Sequence, residues 1–176
     1  MLYEMKNCCD GTNAVYYTSV EVSEKNGIFT FVFTAENSKY YCPYKGHNEK
    51  HFEGDVCEIF IGSNENRNLY YEIEVNPNND TFLALIEYRG ETEQGPDLHR
   101  TYFEKSFLTT SVNKFDGGYI ATVSFPKEKI LCGNGEIYFN AFRIDTDGEQ
   151  PEKHLFAVNP PMRPRFHTPE FFIPIE

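Results

Sequence analysis

The sequence predicts an all-β protein: an antiparallel sandwich of jelly-roll type with at most one short helix. Three observations predict it. Apolar and polar residues alternate with a period of two through most of the chain, which is the pattern of half-buried strands. The β-branched and aromatic runs are separated by short Gly, Pro, Asn and Asp clusters that leave no room for helical crossovers, so neighbouring strands pair antiparallel. The 176 residues include 12 Tyr and 16 Phe but no Trp, and no stretch sustains a helical period.

The elements follow in order. Ala14–Val22 is β-branched and aromatic, and after Asn26-Gly27 the run Ile28–Ala35 mirrors it, which reads as a hairpin. Residues 36–54 hold Tyr40, Tyr41, Pro43, Tyr44, Gly46, His47 and His51 without a period, and read as a long loop of the kind that carries function. Strands follow at Asp55–Ile61, Leu69–Asn76 and Thr81–Tyr88, the last two joined by Asn76-Pro77-Asn78-Asn79-Asp80. Residues 89–117 are less regular, with one strand near Phe107–Val112, and Gly118–Phe125 is strand again. Pro126–Leu131 reads as a single helical turn with Pro at its first position. Gly133-Asn134-Gly135 leads into a long strand, Glu136–Asp145, and the tail His154–Glu176, with five prolines, supplies edge strands and loops.

Composition excludes several functions. Sixteen Lys and Arg against 27 Asp and Glu leave a net charge of −11, which argues against nucleic acid and anionic membranes as partners. The longest apolar run, Phe82-Leu83-Ala84-Leu85-Ile86, is far short of the ~20 residues of a membrane helix. The length fits a single domain, 1–176, large enough for a core without disulfide staples. The N-terminus has no basic start and no apolar core of a signal peptide, which as written predicts a cytoplasmic protein; a leader removed upstream would make it secreted. The five cysteines, Cys8, Cys9, Cys42, Cys57 and Cys132, are an odd number without a CxxC pair, so reduced thiols are expected rather than a disulfide framework or a zinc site.

Alternation assigns the faces. Cys57, Ile59 and Ile61 share one face with Tyr71, Ile73 and Val75; the other face carries Glu58, Tyr70, Glu72, Glu74 and Asn76. Arg143 lies mid-strand and is a candidate partner for these carboxylates, since an isolated buried charge is costly. That face is either a structural Arg–Glu pairing or a ligand platform. No P-loop, GxGxxG, GxSxG or HExxH motif occurs, so neither a catalytic residue nor a metal ligand is assigned. His47 and His51 are four apart but in a loop, and Asp145-Thr146-Asp147-Gly148-Glu149 departs from calcium-loop spacing and reads as a polar turn.

Four segments in this order carry a resemblance: Asp55-Val56-Cys57-Glu58-Ile59-Phe60-Ile61, Tyr70-Tyr71-Glu72-Ile73-Glu74-Val75-Asn76-Pro77, Phe139-Asn140-Ala141-Phe142-Arg143 and Phe166-His167-Thr168-Pro169-Glu170-Phe171-Phe172. From about residue 14 to 172 the chain resembles carbohydrate-binding module family 9-like proteins, a branch of the DOMON-like β-sandwiches. The resemblance implies a non-catalytic protein that binds a mono- or oligosaccharide, and in some members also calcium. Sugar-binding members hold the ring between two tryptophans. At the first of these positions, six before the strand glutamate Glu58, this chain has Phe52; at the second, Val158, with Phe156 as the nearest aromatic; and where members place an arginine it has Glu72. On this reading Phe52, with Tyr44 beside it, stacks on the sugar, while Glu58, Glu72 and either Arg89 or Arg143 bind its hydroxyls, joined by Asn159 from the last loop. The missing tryptophans keep two other readings open: a module for a non-sugar ligand, and a glycoside-processing enzyme using the acidic face.

Overall fold

The alternation resolves into two antiparallel sheets packed face to face. The computed structural model describes residues 1–104, 106–130, 135–148 and 153–175; Leu131, Cys132, Gly133, Asn134 and Glu149 of the readings above lie outside the described residues. In chain order the strands are β1 (Leu2–Glu4), β2 (Lys6–Asn7), β3 (Thr18–Lys25), β4 (Ile28–Glu36), β5 (Val56–Ser63), β6 (Leu69–Val75), β7 (Thr81–Thr92), β8 (Gly95–Tyr102), β9 (Thr109–Phe115), β10 (Gly118–Pro126), β11 (Ile137–Asp145), β12 (His154–Ala157) and β13 (Ile173–Pro174). The smaller sheet has the order β1-β3-β4-β10-β9. The larger runs β2-β12-β11-β5-β6-β7-β8, with β13 also pairing β11.

Local chemistry explains the joints. Asn26 and Gly27 take φ of 54° and 75°, the left-handed pair that a two-residue hairpin turn requires, and they set the β3–β4 register. The apolar faces of the two sheets meet in one core that includes Phe31, Phe33, Ile59, Ile73, Tyr119, Phe125 and Phe139. Phe31 stacks on Phe125 with ring centroids 5.8 Å apart and meets Phe139 edge-on at 5.7 Å. Truncating a buried phenylalanine of this kind costs about 3–5 kcal/mol. Cys57 is buried in this core, and Cys8, Cys9, Cys42 and Cys57 are all free thiols. Among the described residues no helix is long and apolar enough to cross a membrane.

Four sequence expectations shift. Strand β3 begins at Thr18 rather than Ala14: the segment before it bends away, leaving Val15 and Tyr17 exposed. The β9 strand is displaced to Thr109–Phe115, while Phe107 and Leu108 pack onto the core ahead of it. The expected helical turn is a 3-10 turn of three residues, Lys127–Lys129, too short to nucleate an α-helix. Strand β8 falls in the stretch read as irregular: it is an edge strand whose polar residues hide the period of two.

Candidate functional site

The outer face of the larger sheet is not a solvated face. It carries a second apolar cluster, with Phe60, Tyr70, Phe82, Ala84, Ile86, Phe142 and Phe172 buried beneath the C-terminal tail. Within that cluster β5 and β6 place three carboxylates. Glu58 lies opposite Glu74 in the ladder, and Glu72 is two residues before Glu74 on the same face. All three are buried, at 2%, 5% and 0% exposure for Glu58, Glu72 and Glu74. One oxygen from each lies within 4.8 Å of the other two. Glu58 Oε1, Glu72 Oε2 and both oxygens of Glu74 accept no hydrogen bond. Such orphaned buried acceptors cost about 1–3 kcal/mol each.

Above the carboxylates lies a groove of two adjoining hollows. The first, of about 290 Å³, is lined by Phe52, Glu58, Glu72, Arg100, Ile144, Leu155, Pro164, Phe166 and His167. The second, of about 330 Å³, continues over Glu72, Glu74, Phe82, Arg100 and Tyr102 to Asn48, Glu49 and Lys50. Phe52, Glu72 and Arg100 border both. Volumes of this size suit small-molecule ligands. Phe52 is 45% exposed, so its ring is available as a wall. Phe166 stands in the first hollow, backed by Phe142 at a centroid distance of 4.3 Å.

The loop of residues 37–55 holds Phe52 in place by hydrogen bonds. Asp55 accepts from the Tyr41 amide at 2.8 Å, and Asn48 accepts from the Leu83 amide while its side-chain amide donates to the Phe103 carbonyl. His47 reaches Thr81 Oγ1 and the Phe103 carbonyl, and His51 lies beside the Gly46 carbonyl and Asn76, so both histidines are structural. Gly54 is required by close approach: a Cβ there would sit 2.3 Å from the Tyr41 carbonyl. Lys153 donates to the Phe52 carbonyl from the strand end opposite.

Burial sets the electrostatics. It pushes the Glu58 and Glu74 carboxyls well above the usual range, with mutual repulsion adding to the effect. Glu72 is raised to about 7 by burial, with Arg100, 3.6 Å away, working against the rise. His167 is lowered to about 3 by burial and then by Arg100, so it is neutral; its Nδ1 lies 2.9 Å from the Tyr70 hydroxyl and its ring stacks on Phe60.

The structure brings Phe52, Glu58 and Glu72 together and leaves the other anticipated residues elsewhere. Arg143 is on the opposite face of β11, fully buried between the sheets, where it bonds Thr18 and Asp145. Odd-numbered side chains of β11 face inward with Cys57, its ladder partner, and Arg143 follows that parity. Arg89 is an exposed residue paired to Glu87, and Tyr44 turns its hydroxyl to Glu53; neither borders the groove. Asn159 spends its side-chain amide on the Phe171 carbonyl. Phe156 is buried in the inter-sheet core and Val158 packs against it, so the tail aromatic in the groove is Phe166. Asp145 and Asp147 are engaged by Asn37, which makes their turn a polar one.

Arg100, Tyr102, Phe166 and His167 are the groove residues that sequence reasoning did not assign. Arg100 and Tyr102 stand on an edge strand whose polar composition hides its alternation. Nothing local to Phe166 or His167 shows that the tail folds back over this face.

No protein-family model matches the chain. Over 174 residues it is 25% identical to a protein of Arthroderma benhamiae described as an extracellular protein, covering 88% of this chain and 76% of that one. The fold matches that of a Bacteroides uniformis protein proposed to bind carbohydrate, at a TM-score of 0.73 and 14% identity, over 97% of this chain and 84% of that one. It also matches a family 9 carbohydrate-binding module of Caldicellulosiruptor kristjanssonii solved with glucose and with cellotriose. There the TM-score is 0.67 in both cases, at 12% and 11% identity, over 99% and 98% of this chain and 83% and 79% of the module. The chain therefore has the fold of a family 9-like carbohydrate-binding β-sandwich.

Proposed function

We propose that this protein is a non-catalytic carbohydrate-binding protein whose site is the outer groove. The observation that carries the proposal is the pairing of an exposed ring, Phe52, with buried carboxyl oxygens, Glu58 Oε1 and both of Glu74, that accept no hydrogen bond. A pyranose offers what such a site lacks. Its C–H face suits an aromatic wall and its hydroxyls are hydrogen-bond partners for the carboxyl groups of Glu58 and Glu72. Arg100, rather than Arg89 or Arg143, supplies donors to the sugar oxygens, and Phe166 provides the second wall. The two joined hollows suit a ligand of more than one ring.

The three carboxylates lie side by side on one sheet face with ligand oxygens within 4.8 Å, rather than facing each other across a cleft at the ~5–9.5 Å of glycoside hydrolysis. This favours binding over turnover. Calorimetry with glucose, cellotriose and a glycan array tests the proposal. Saturable binding weakened by Phe52→Ala is the expected result; no heat with any mono- or oligosaccharide at millimolar concentration overturns it. Hydrolysis of chromogenic glycosides that is lost in Glu58→Gln would favour the enzyme reading instead.

A further inference from the structure

The floor of the groove gathers more carboxyl groups than its one arginine and a sugar's hydroxyls can answer once they ionise. Ionised, Glu58, Glu72 and Glu74 carry −3. Arg100, on Glu72, is the guanidinium or ammonium group paired with them among the described residues. His167, 3.5 Å from Glu72 Oε1, is neutral, and Lys50 and Lys153 stand at the exposed rim. Three carboxylates thus share one guanidinium at the base of a hollow bordered by Phe82. Hydroxyl dipoles do not neutralise charge, and unpaired buried charge is strongly unfavourable.

Glu74 makes the point independently of the clustering. It is 0% exposed, borders the second hollow, and neither of its oxygens has a partner. It is also deeper than Glu58 and Glu72, the two carboxylates assigned to the sugar. Three ligand oxygens within 4.8 Å of one another can converge on one ion, and calcium, at ~2.3–2.6 Å from its oxygens, asks less contraction of that spacing than magnesium at ~2.1 Å. The donors are all carboxylate oxygens, the set that selects a hard divalent cation. They project from two paired strands, which fixes their spacing.

We propose that Glu58, Glu72 and Glu74 bind a calcium ion at the base of the groove, its remaining coordination positions open toward the space above. The ion supplies the positive charge that Arg100 alone does not give to three ionised carboxylates. Each carboxylate keeps a second oxygen, so Glu58 and Glu72 can ligate the ion and accept a sugar hydroxyl together. The inference rests on the sugar reading only for what lies above the ion.

The test uses the full chain stripped with chelator at pH 8, titrated with calcium and with magnesium. Saturable binding of one calcium per chain is expected, at least tenfold tighter than magnesium, with Tm rising by roughly 5 °C at a hundredfold excess over Kd. Glu74→Gln keeps the shape of a buried side chain while removing its charge, so it folds; it weakens calcium binding at least tenfold. No saturable heat at about 10 mM calcium, above the range of weak extracellular calcium sites, overturns the proposal, as does an unchanged affinity in Glu74→Gln. Sugar binding without an ion sinks this inference and leaves the function standing; ion binding without any sugar does the reverse.

Discussion

The larger sheet buries charge on both of its faces, and the two faces close it differently. On the inner face Arg143 and Asp145 pair with each other. Arg143 also donates to Thr18 at 2.7 Å and lies over the Tyr119 and Phe156 rings at 5.6 and 5.8 Å, while Asp145 accepts from Asn37 and the Asp147 amide. Arg143 Nε and, just ahead of β5, Asp55 Oδ1 are left over. On the outer face three carboxylates share one arginine, which lies 3.6 Å from Glu72 Oε2, and Glu58 Oε1 and both Glu74 oxygens keep neither a hydrogen bond nor an ion pair. Buried charge satisfied from within is part of the scaffold. Buried charge left unsatisfied at the floor of an open groove is a recognition surface, because its missing partners must come from outside.

The largest expected effect breaks the inner face. Arg143→Met leaves Asp145 buried without its cation and should cost about 3–5 kcal/mol in urea unfolding, with sugar affinity per folded molecule unchanged. A loss of affinity without a loss of stability would put Arg143 in the site after all.

Next comes pH. Glu72 and Asp55 are held at about 7 and about 6 in the folded protein, above their ordinary 4.5 and 3.8, and Glu58 and Glu74 are raised as well. A raised carboxyl pKa favours the protonated folded state. Its contribution is complete below the unfolded value and disappears as pH rises through the folded one. Chelated protein should therefore lose on the order of 2–3 kcal/mol between pH 5 and pH 8, and calcium should restore part of it at pH 8. A flat or rising curve in denaturant titrations would contradict the outer-face assignment.

Glu74→Gln sharpens the same contrast with the opposite sign. Removing an unpaired buried charge should stabilise the chelated protein by about 1–2 kcal/mol at pH 8, unlike any change at Arg143. The smallest effect is at Phe52. Its replacement by Ala should weaken sugar binding about tenfold, or ~1.4 kcal/mol, while stability moves by less than ~0.5 kcal/mol because the ring is exposed. A large stability loss would make the ring a packing element rather than a wall.

Much of this contrast was legible in the sequence, and the missing part has a physical cause. Alternation placed Glu58, Glu72 and Glu74 on one face because register and parity are local properties. The same parity puts Arg143 on the other face, since its ladder partner Cys57 belongs with Ile59 and Ile61. Its charge suggested a partner among the glutamates, but its partner is Asp145, two residues on along the same strand. Phe52 was located by its distance from Glu58. Arg100 was hidden because β8 is a polar edge strand, and Phe166 and His167 because they reach the groove by a chain reversal that no local pattern encodes.

The most direct test is an amide chemical-shift titration of the folded protein with glucose and cellotriose. Perturbations are expected at Phe52, Glu58, Glu72, Arg100 and His167, with Thr18, Arg143 and Asp145 on the inner face unmoved. Shifts absent at millimolar sugar, or clustered away from the groove, would contradict the proposed site.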